Sequence, residues 1–111
     1  MDKNIFKVKG TYVNGQWFNS KNTYEVFNPS NGEKLSDVPI SDKKELELAV
    51  ESAKKAQTIW SKTSLIERVK CLEELSKKIL EKEEEFALID SYDSGNALTG
   101  MRKDVKETVN N

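Results

Sequence analysis

The chain reads as an α+β fold, with a few N-terminal β-hairpins followed by three to four helices. Two observations predict this. Between residues 11 and 39, short alternating apolar runs are interrupted by Asn14-Gly15 and by Asn28-Pro29-Ser30-Asn31-Gly32. From Asp42 onward the apolar residues recur every three or four positions, the spacing of one helix face.

The first hairpin is expected where Tyr12-Val13 and Trp17-Phe18 flank Asn14-Gly15, because both turn residues tolerate positive φ. The second is expected from Tyr24 and Val26, which alternate with Glu25 and Phe27, through the turn at Asn28–Gly32, to Leu35 and Val38. Pro29 cannot donate to a sheet ladder and marks the end of its strand; Pro39 closes the β region.

Asp42 with Glu45 forms a capping box ahead of a first stripe, Leu46, Ala49, Val50, Ala53, Ala56 (or Gln57) and Trp60. Ser64 with Glu67 is a second and stronger box, opening the stripe Leu65, Val69, Leu72, Leu75 (or Ser76), Ile79 and Leu80. Glu73→Lys77 and Glu74→Lys78 are ion pairs in the favourable order, each worth a few tenths of a kcal/mol. A third helix is expected from near Lys82 to Asp93, burying Phe86 and Ile89, with Gly95 as the left-handed residue that stops it. A fourth stripe, Leu98, Met101, Val105 and Val109, meets no cap, glycine or proline before Asn110-Asn111, which suggests interruption more than a designed stop.

Composition narrows the function classes. Of 111 residues, 36% are hydrophobic and 33% charged, low and high respectively for a self-contained core. Eighteen bases against nineteen acids give a net charge of −1, so no single-sign field favours nucleic acid or an anionic membrane. There is no histidine, which removes the commonest general base and metal ligand. The single cysteine, Cys71, cannot form an internal disulfide, which fits a reducing, cytoplasmic location. The N-terminal residues lack a signal-peptide apolar run, and no stretch approaches a membrane span.

Five pieces in order resemble the opening of an NAD(P)-dependent aldehyde dehydrogenase, roughly from Tyr12 to Val105. They are the Asn14-Gly15-Gln16-Trp17 hairpin, the Asn28-Pro29-x-x-Gly32 turn, the Ala-rich helix ending in Trp60, Glu67-Arg68 leading into Leu72-Glu73-Glu74-Leu75, and the run Glu84–Ile89 followed by Asp93-Ser94-Gly95-Asn96. Where relatives often carry Lys-Pro after that glycine, this chain has Asn96-Ala97. The resemblance implies an α/β enzyme with a Rossmann-type cofactor domain, in which residues 1–10 are a tail and residues 11–111 are the N-terminal part of that domain (hairpins about 11–39, helices about 42–111). It also implies oxidation of a small-molecule aldehyde to a carboxylic acid with NAD or NADP, through a cysteine thioester, in a homo-oligomer several times longer than this chain. The catalytic cysteine and glutamate, the oxyanion asparagine and the phosphate-binding glycine turn belong to later parts of such enzymes.

No catalytic, cofactor-binding or metal-binding residue is therefore assigned here, and the chain alone is expected to be inactive and to bind no cofactor. Cys71 sits at the edge of a helix stripe among Glu67, Arg68, Glu74 and Leu75, with no base to activate it. Asn14-Gly15 and Asn31-Gly32 lack the spacing of a phosphate-binding turn. The run Glu81-Lys82-Glu83-Glu84-Glu85 reads as a solvated face. Asp90, Asp93 and Asp104 read as capping or surface residues, although relatives give a weak precedent for a monovalent ion near here. Trp17 and Trp60 read as packing anchors, Trp60 between the first two helices, and Arg68 as half of a structural ion pair. The alternative function is a non-catalytic helical interaction module or small structural subunit. With no large sheet to cover four stripes, the helices are expected to form locally but to stay loosely packed or to self-associate.

Overall fold

A computed structural model describes residues 3–110; residues 1, 2 and 111, the extreme ends of the regions read as a tail and a fourth helix, lie outside the described residues. A 3-10 turn at Lys3–Phe6 leads into strands β1 (Thr11–Val13), β2 (Gln16–Phe18), β3 (Thr23–Phe27) and β4 (Lys34–Pro39). Helices α1 (Lys43–Trp60), α2 (Leu65–Glu81), α3 (Glu83–Ser94) and α4 (Leu98–Asn110) follow.

The strands form two separate antiparallel ribbons, β1 with β2 and β3 with β4. Asn14 (φ 50°) and Gly15 (φ 77°) make the tight turn of the first, which places Tyr12 opposite Trp17. Their rings meet at 4.9 Å, and the Lys9 ammonium lies 5.9 Å from the Trp17 ring. In the second ribbon Tyr24 pairs with Val38, and the register slips between Val26 and Phe27, where the chain enters the Asn28 turn.

Asn28 is buried because its turn is internally satisfied. Its Oδ1 accepts from the Ser30 N–H at 2.9 Å, its N–H donates to the Glu33 carbonyl at 2.8 Å, and its own carbonyl accepts from Gly32 at 2.8 Å. Pro29 then reaches the end of α3. A Cβ built on Gly95 would stand 3.0 Å from Pro29 Cγ, and Gly95 has φ 78°. The left-handed stop of α3 and the second ribbon's turn are thus fitted to one another.

Both capping boxes close. Asp42 Oδ1 accepts from Glu45 N–H at 2.9 Å, while Glu45 Oε2 accepts from Asp42 N–H at 3.0 Å. The Ser64–Glu67 box, expected to be the stronger, has bonds of 3.3 Å each way; the Glu67 N–H meets a neutral hydroxyl where the Glu45 N–H meets a carboxylate, and charge-assisted bonds are shorter. The Ser64 hydroxyl also donates to Glu67 Oε2 at 2.8 Å.

The centre of the packing lies between α3 and α4. Ala87 is fully buried, and Val105 from the α4 stripe is buried too. Phe86 is 45% exposed, contrary to expectation, and Ile89 is only half-buried. Phe86-Ala87-Leu88-Ile89 is a contiguous apolar run whose side chains point all round the helix. The small residue is the one that lets α4 approach. At the N-terminus Phe6 is buried, with its ring 5.4 Å from that of Tyr92 of α3. Part of the stretch read as a tail therefore packs on the third helix.

Elsewhere the interior is thin. Trp60 is 38% exposed and does not serve as the anchor between α1 and α2 that its position suggested. Leu65, Val69, Leu72 and Leu75 of α2 are all exposed. The radius of gyration is 16.9 Å and the extents are 49 × 36 × 19 Å. A compact domain of this length has a radius of about 13 Å. The accessible surface is 8805 Å², against about 6,200 Å² for a folded monomer of this mass. The molecule is a slab with one helical face open.

Replacing Gly95 with alanine is expected to destabilise the chain by about 1–2 kcal/mol, the cost of a left-handed residue bearing a Cβ. Urea unfolding followed by far-ultraviolet dichroism checks it. A Gly95→Ala variant as stable as the parent would show that Pro29 and Gly95 are not fitted together.

Candidate functional site

Chemistry-bearing side chains in this chain are mostly engaged in structure. Cys71 is exposed on α2 with a free thiol. Glu67, one helical turn before it, is already bound to Ser64. Asp42 and Glu45 are spent on the α1 cap. Asn31 Oδ1 accepts from Glu33 N–H at 2.9 Å, so Asn31-Gly32 is a turn that satisfies itself. Asn14-Gly15 closes the first ribbon.

The acidic run divides between elements. Glu85 takes Lys82 at 2.7 Å, Glu83 takes Lys106 at 3.4 Å, and Glu84 takes Arg102. The last pair is bidentate, with Arg102 Nε donating to one Glu84 oxygen at 2.8 Å and Nη2 to the other at 2.7 Å. The hydrogen bond from Arg102 holds the Glu84 carboxyl below its usual range, and the same bond raises the guanidinium. Two of these three pairs tie α3 to α4 across the buried Ala87 and Val105, a role the sequence reading missed. The only available signal was the position of basic Arg102 and Lys106 one helical turn apart, after a glycine that reverses the chain.

The α2 pairs Glu73–Lys77 and Glu74–Lys78 do not form among the described residues. Glu51–Lys55 on α1 does, at 2.8 Å, and lowers the Glu51 carboxyl chiefly through its hydrogen bond to Lys55. Exposed pairs of this kind contribute so little that solvent competes on equal terms. Nor does Arg68 make the expected ion pair among the described residues; its Nε is buried with no hydrogen-bond partner.

A cavity of about 290 Å³ lies between the 3-10 turn, the β3–β4 ribbon and α3. Phe6, Val8, Tyr24, Val26 and Ile89 give it apolar walls, with Asp93 as its single carboxylate. Lys7 and Ser36 are its other polar lining residues, and no cysteine lines it among the described residues. Among the described residues no group of three or more His, Cys, Asp or Glu is placed to hold a metal ion. Among the described residues no helix is long and apolar enough to cross a membrane.

The profile of the aldehyde dehydrogenase family matches residues 17–111. The chain belongs to the aldehyde dehydrogenase family. It is 31% identical to a malonate-semialdehyde dehydrogenase of Bacillus pumilus, over 98% of this chain and 23% of that protein. It is 36% identical to malonate-semialdehyde dehydrogenase 1 of Shouchella clausii, over 96% of this chain and 22% of that protein. Among solved structures, betaine aldehyde dehydrogenase of Staphylococcus aureus in complex with NAD+ is 29% identical and superposes with a TM-score of 0.86, over 93% of this chain and 21% of that one. The HpcC protein of Thermus thermophilus, 22% identical, shares the fold with a TM-score of 0.91, over 97% of this chain and 22% of that one. The chain thus spans less than a quarter of the length of these family members.

Because Glu84 is held below its ordinary value, its contribution is present above the unfolded carboxyl value and is lost as pH falls through the lowered one. Carboxyl-carbon NMR of the chain is expected to show Glu84 titrating below the ordinary glutamate range. In an Arg102→Gln variant it is expected to return towards that range. An unchanged Glu84 titration in the variant would mean that the α3–α4 bridge does not form in solution.

Proposed function

We propose that this chain is the lead-in to the cofactor-binding domain of an NAD(P)-dependent aldehyde dehydrogenase, and that its contribution is architectural. The observation that carries the reading is the family match over residues 17–111, in a chain that spans less than a quarter of the relatives' length and has no histidine. In the whole enzyme, a cysteine thiolate outside these residues adds to the aldehyde carbonyl, and water then releases the carboxylic acid from the thioester. NAD or NADP, when bound, accepts the hydride. The relatives support a small aldehyde, of the kind named in malonate-semialdehyde and betaine aldehyde dehydrogenases, as the substrate of the whole protein. This chain supplies the capped helices, the Asn28–Gly32 turn and the α3–α4 pair, and no reacting group.

Two measurements test this. The purified chain, mixed with malonate semialdehyde or betaine aldehyde and NAD or NADP, is expected to reduce no nicotinamide above a buffer blank. Turnover that survives repurification and vanishes in Cys71→Ser would place the nucleophile in this chain and overturn the reading. Calorimetry with millimolar NAD is expected to give no saturable heat, since no glycine-rich turn leads from a buried strand into a helix to receive the pyrophosphate. A one-to-one isotherm would show that a nucleotide site exists among these residues.

A further inference from the structure

Two Asn-Gly pairs lie in turns of this chain, and their surroundings differ. At Asn31-Gly32 the groups that could react with one another are engaged. Asn31 Oδ1 accepts from the Glu33 N–H at 2.9 Å, and the Gly32 N–H donates to the Asn28 carbonyl at 2.8 Å. Pro29 of the same turn abuts Gly95 at the end of α3. At Asn14-Gly15 both residues are exposed, and neither the Asn14 side chain nor the Gly15 N–H has a hydrogen-bond partner among the described residues. Beyond its chain neighbours, a Cβ built on Gly15 would meet nothing nearer than the Tyr12 hydroxyl at 4.0 Å, so the approach to the Gly15 nitrogen is open.

From this contrast we infer that Asn14 is a site of spontaneous covalent modification, in which the Gly15 amide nitrogen attacks the carbonyl carbon of the Asn14 side chain. The new C–N bond closes a succinimide ring, and the side-chain nitrogen leaves as ammonia with the proton lost from Gly15. Water then opens the ring at either carbonyl. The product is an aspartyl residue, or an isoaspartyl link with one methylene more in the main chain. Glycine hinders such an attack least, because it carries no Cβ. Opening of the ribbon gates the step. The φ values of 50° and 77° are those of a type I′ turn. Its first central residue has ψ of about 30°, which turns the next nitrogen away from the side chain. The turn must therefore open before the ring can form. A two-stranded ribbon is marginally stable by itself, and β1–β2 pairs with no other strand among the described residues. The isoaspartyl product cannot hold Val13 opposite Gln16 across a two-residue loop, so the Tyr12–Trp17 ring contact is lost with the register. Either product adds one negative charge to the net −1 of the chain.

The inference goes beyond the family reading and does not depend on it, because its readout is peptide mass and not activity. The full chain is held at mildly alkaline pH and physiological temperature, then digested and read by mass spectrometry. The peptide holding Asn14 is expected to gain the mass of an amide-to-acid exchange severalfold faster than the peptide holding Asn31. In urea the two sites are expected to convert at similar rates, since the local sequence chemistry is shared. Trp17→Ala removes the ring that faces Tyr12 across the ribbon and is expected to speed conversion at Asn14. Asn14→Gln is expected to remove the acidic species that accumulates first on ion exchange. Conversion of Asn31 as fast as Asn14 in the folded chain would overturn the proposal. So would an Asn14 that stays intact there, or a rate at Asn14 that Trp17→Ala leaves unchanged.

Discussion

The α3–α4 contact is what the rest of the molecule hangs on. Ala87 and Val105 are buried in that region, and Arg102 and Lys106 of α4 reach back to Glu84 and Glu83 of α3. Phe6 closes one side by packing its ring at a tilt against Tyr92, and Pro29 closes the helix end by abutting Gly95. The second ribbon is thereby tied to α3, while α2 is held through α4. By contrast, α1 has little beneath it apart from the first ribbon, and its buried-face residues Glu45, Ala49 and Ser52 are only half-covered. Packing therefore weakens from α3–α4 outward to α1 and the α1–α2 turn.

That gradient has a simple cause. Fully burying a large aliphatic side chain is worth about 1.5–3 kcal/mol, and most of the large ones on α1 and α2 stay in solvent. The helices there are specified locally, by two closed capping boxes and by the Glu51–Lys55 pair, and not by a core. A slab with well-formed helices and few buried side chains is the result. In much longer relatives the same segment adopts the same arrangement, which shows that the shape does not require this chain's own sequence in detail.

Much of the fold was legible because its signals are local. Asn14-Gly15 fixed the first turn, Asp42 and Ser64 set two helix starts, and Gly95 set a stop. What was not legible depends on which faces meet. Nothing in Phe86-Ala87-Leu88-Ile89 says that the alanine points inward, because all four are apolar. Trp60 occupies an anchor position by periodicity yet finds no neighbour large enough to cover it. The Arg102–Glu84 bridge requires knowing that α4 folds back on α3. Arg68 shows the reverse failure, since a partner was expected and its buried Nε has none. For the site, the sequence reads Cys71 as structural from its neighbours alone, and the structure places that thiol exposed on α2.

Hydrogen exchange resolved by residue, at a concentration low enough to keep single copies, tests the central claim most directly. The account predicts the slowest amides in α3 and α4 around Ala87 and Val105, intermediate ones in β3–β4, and the fastest helical amides in α1. Uniform protection of all four helices, lost together in one cooperative unit, would contradict it and show that 111 residues bury a complete core of their own.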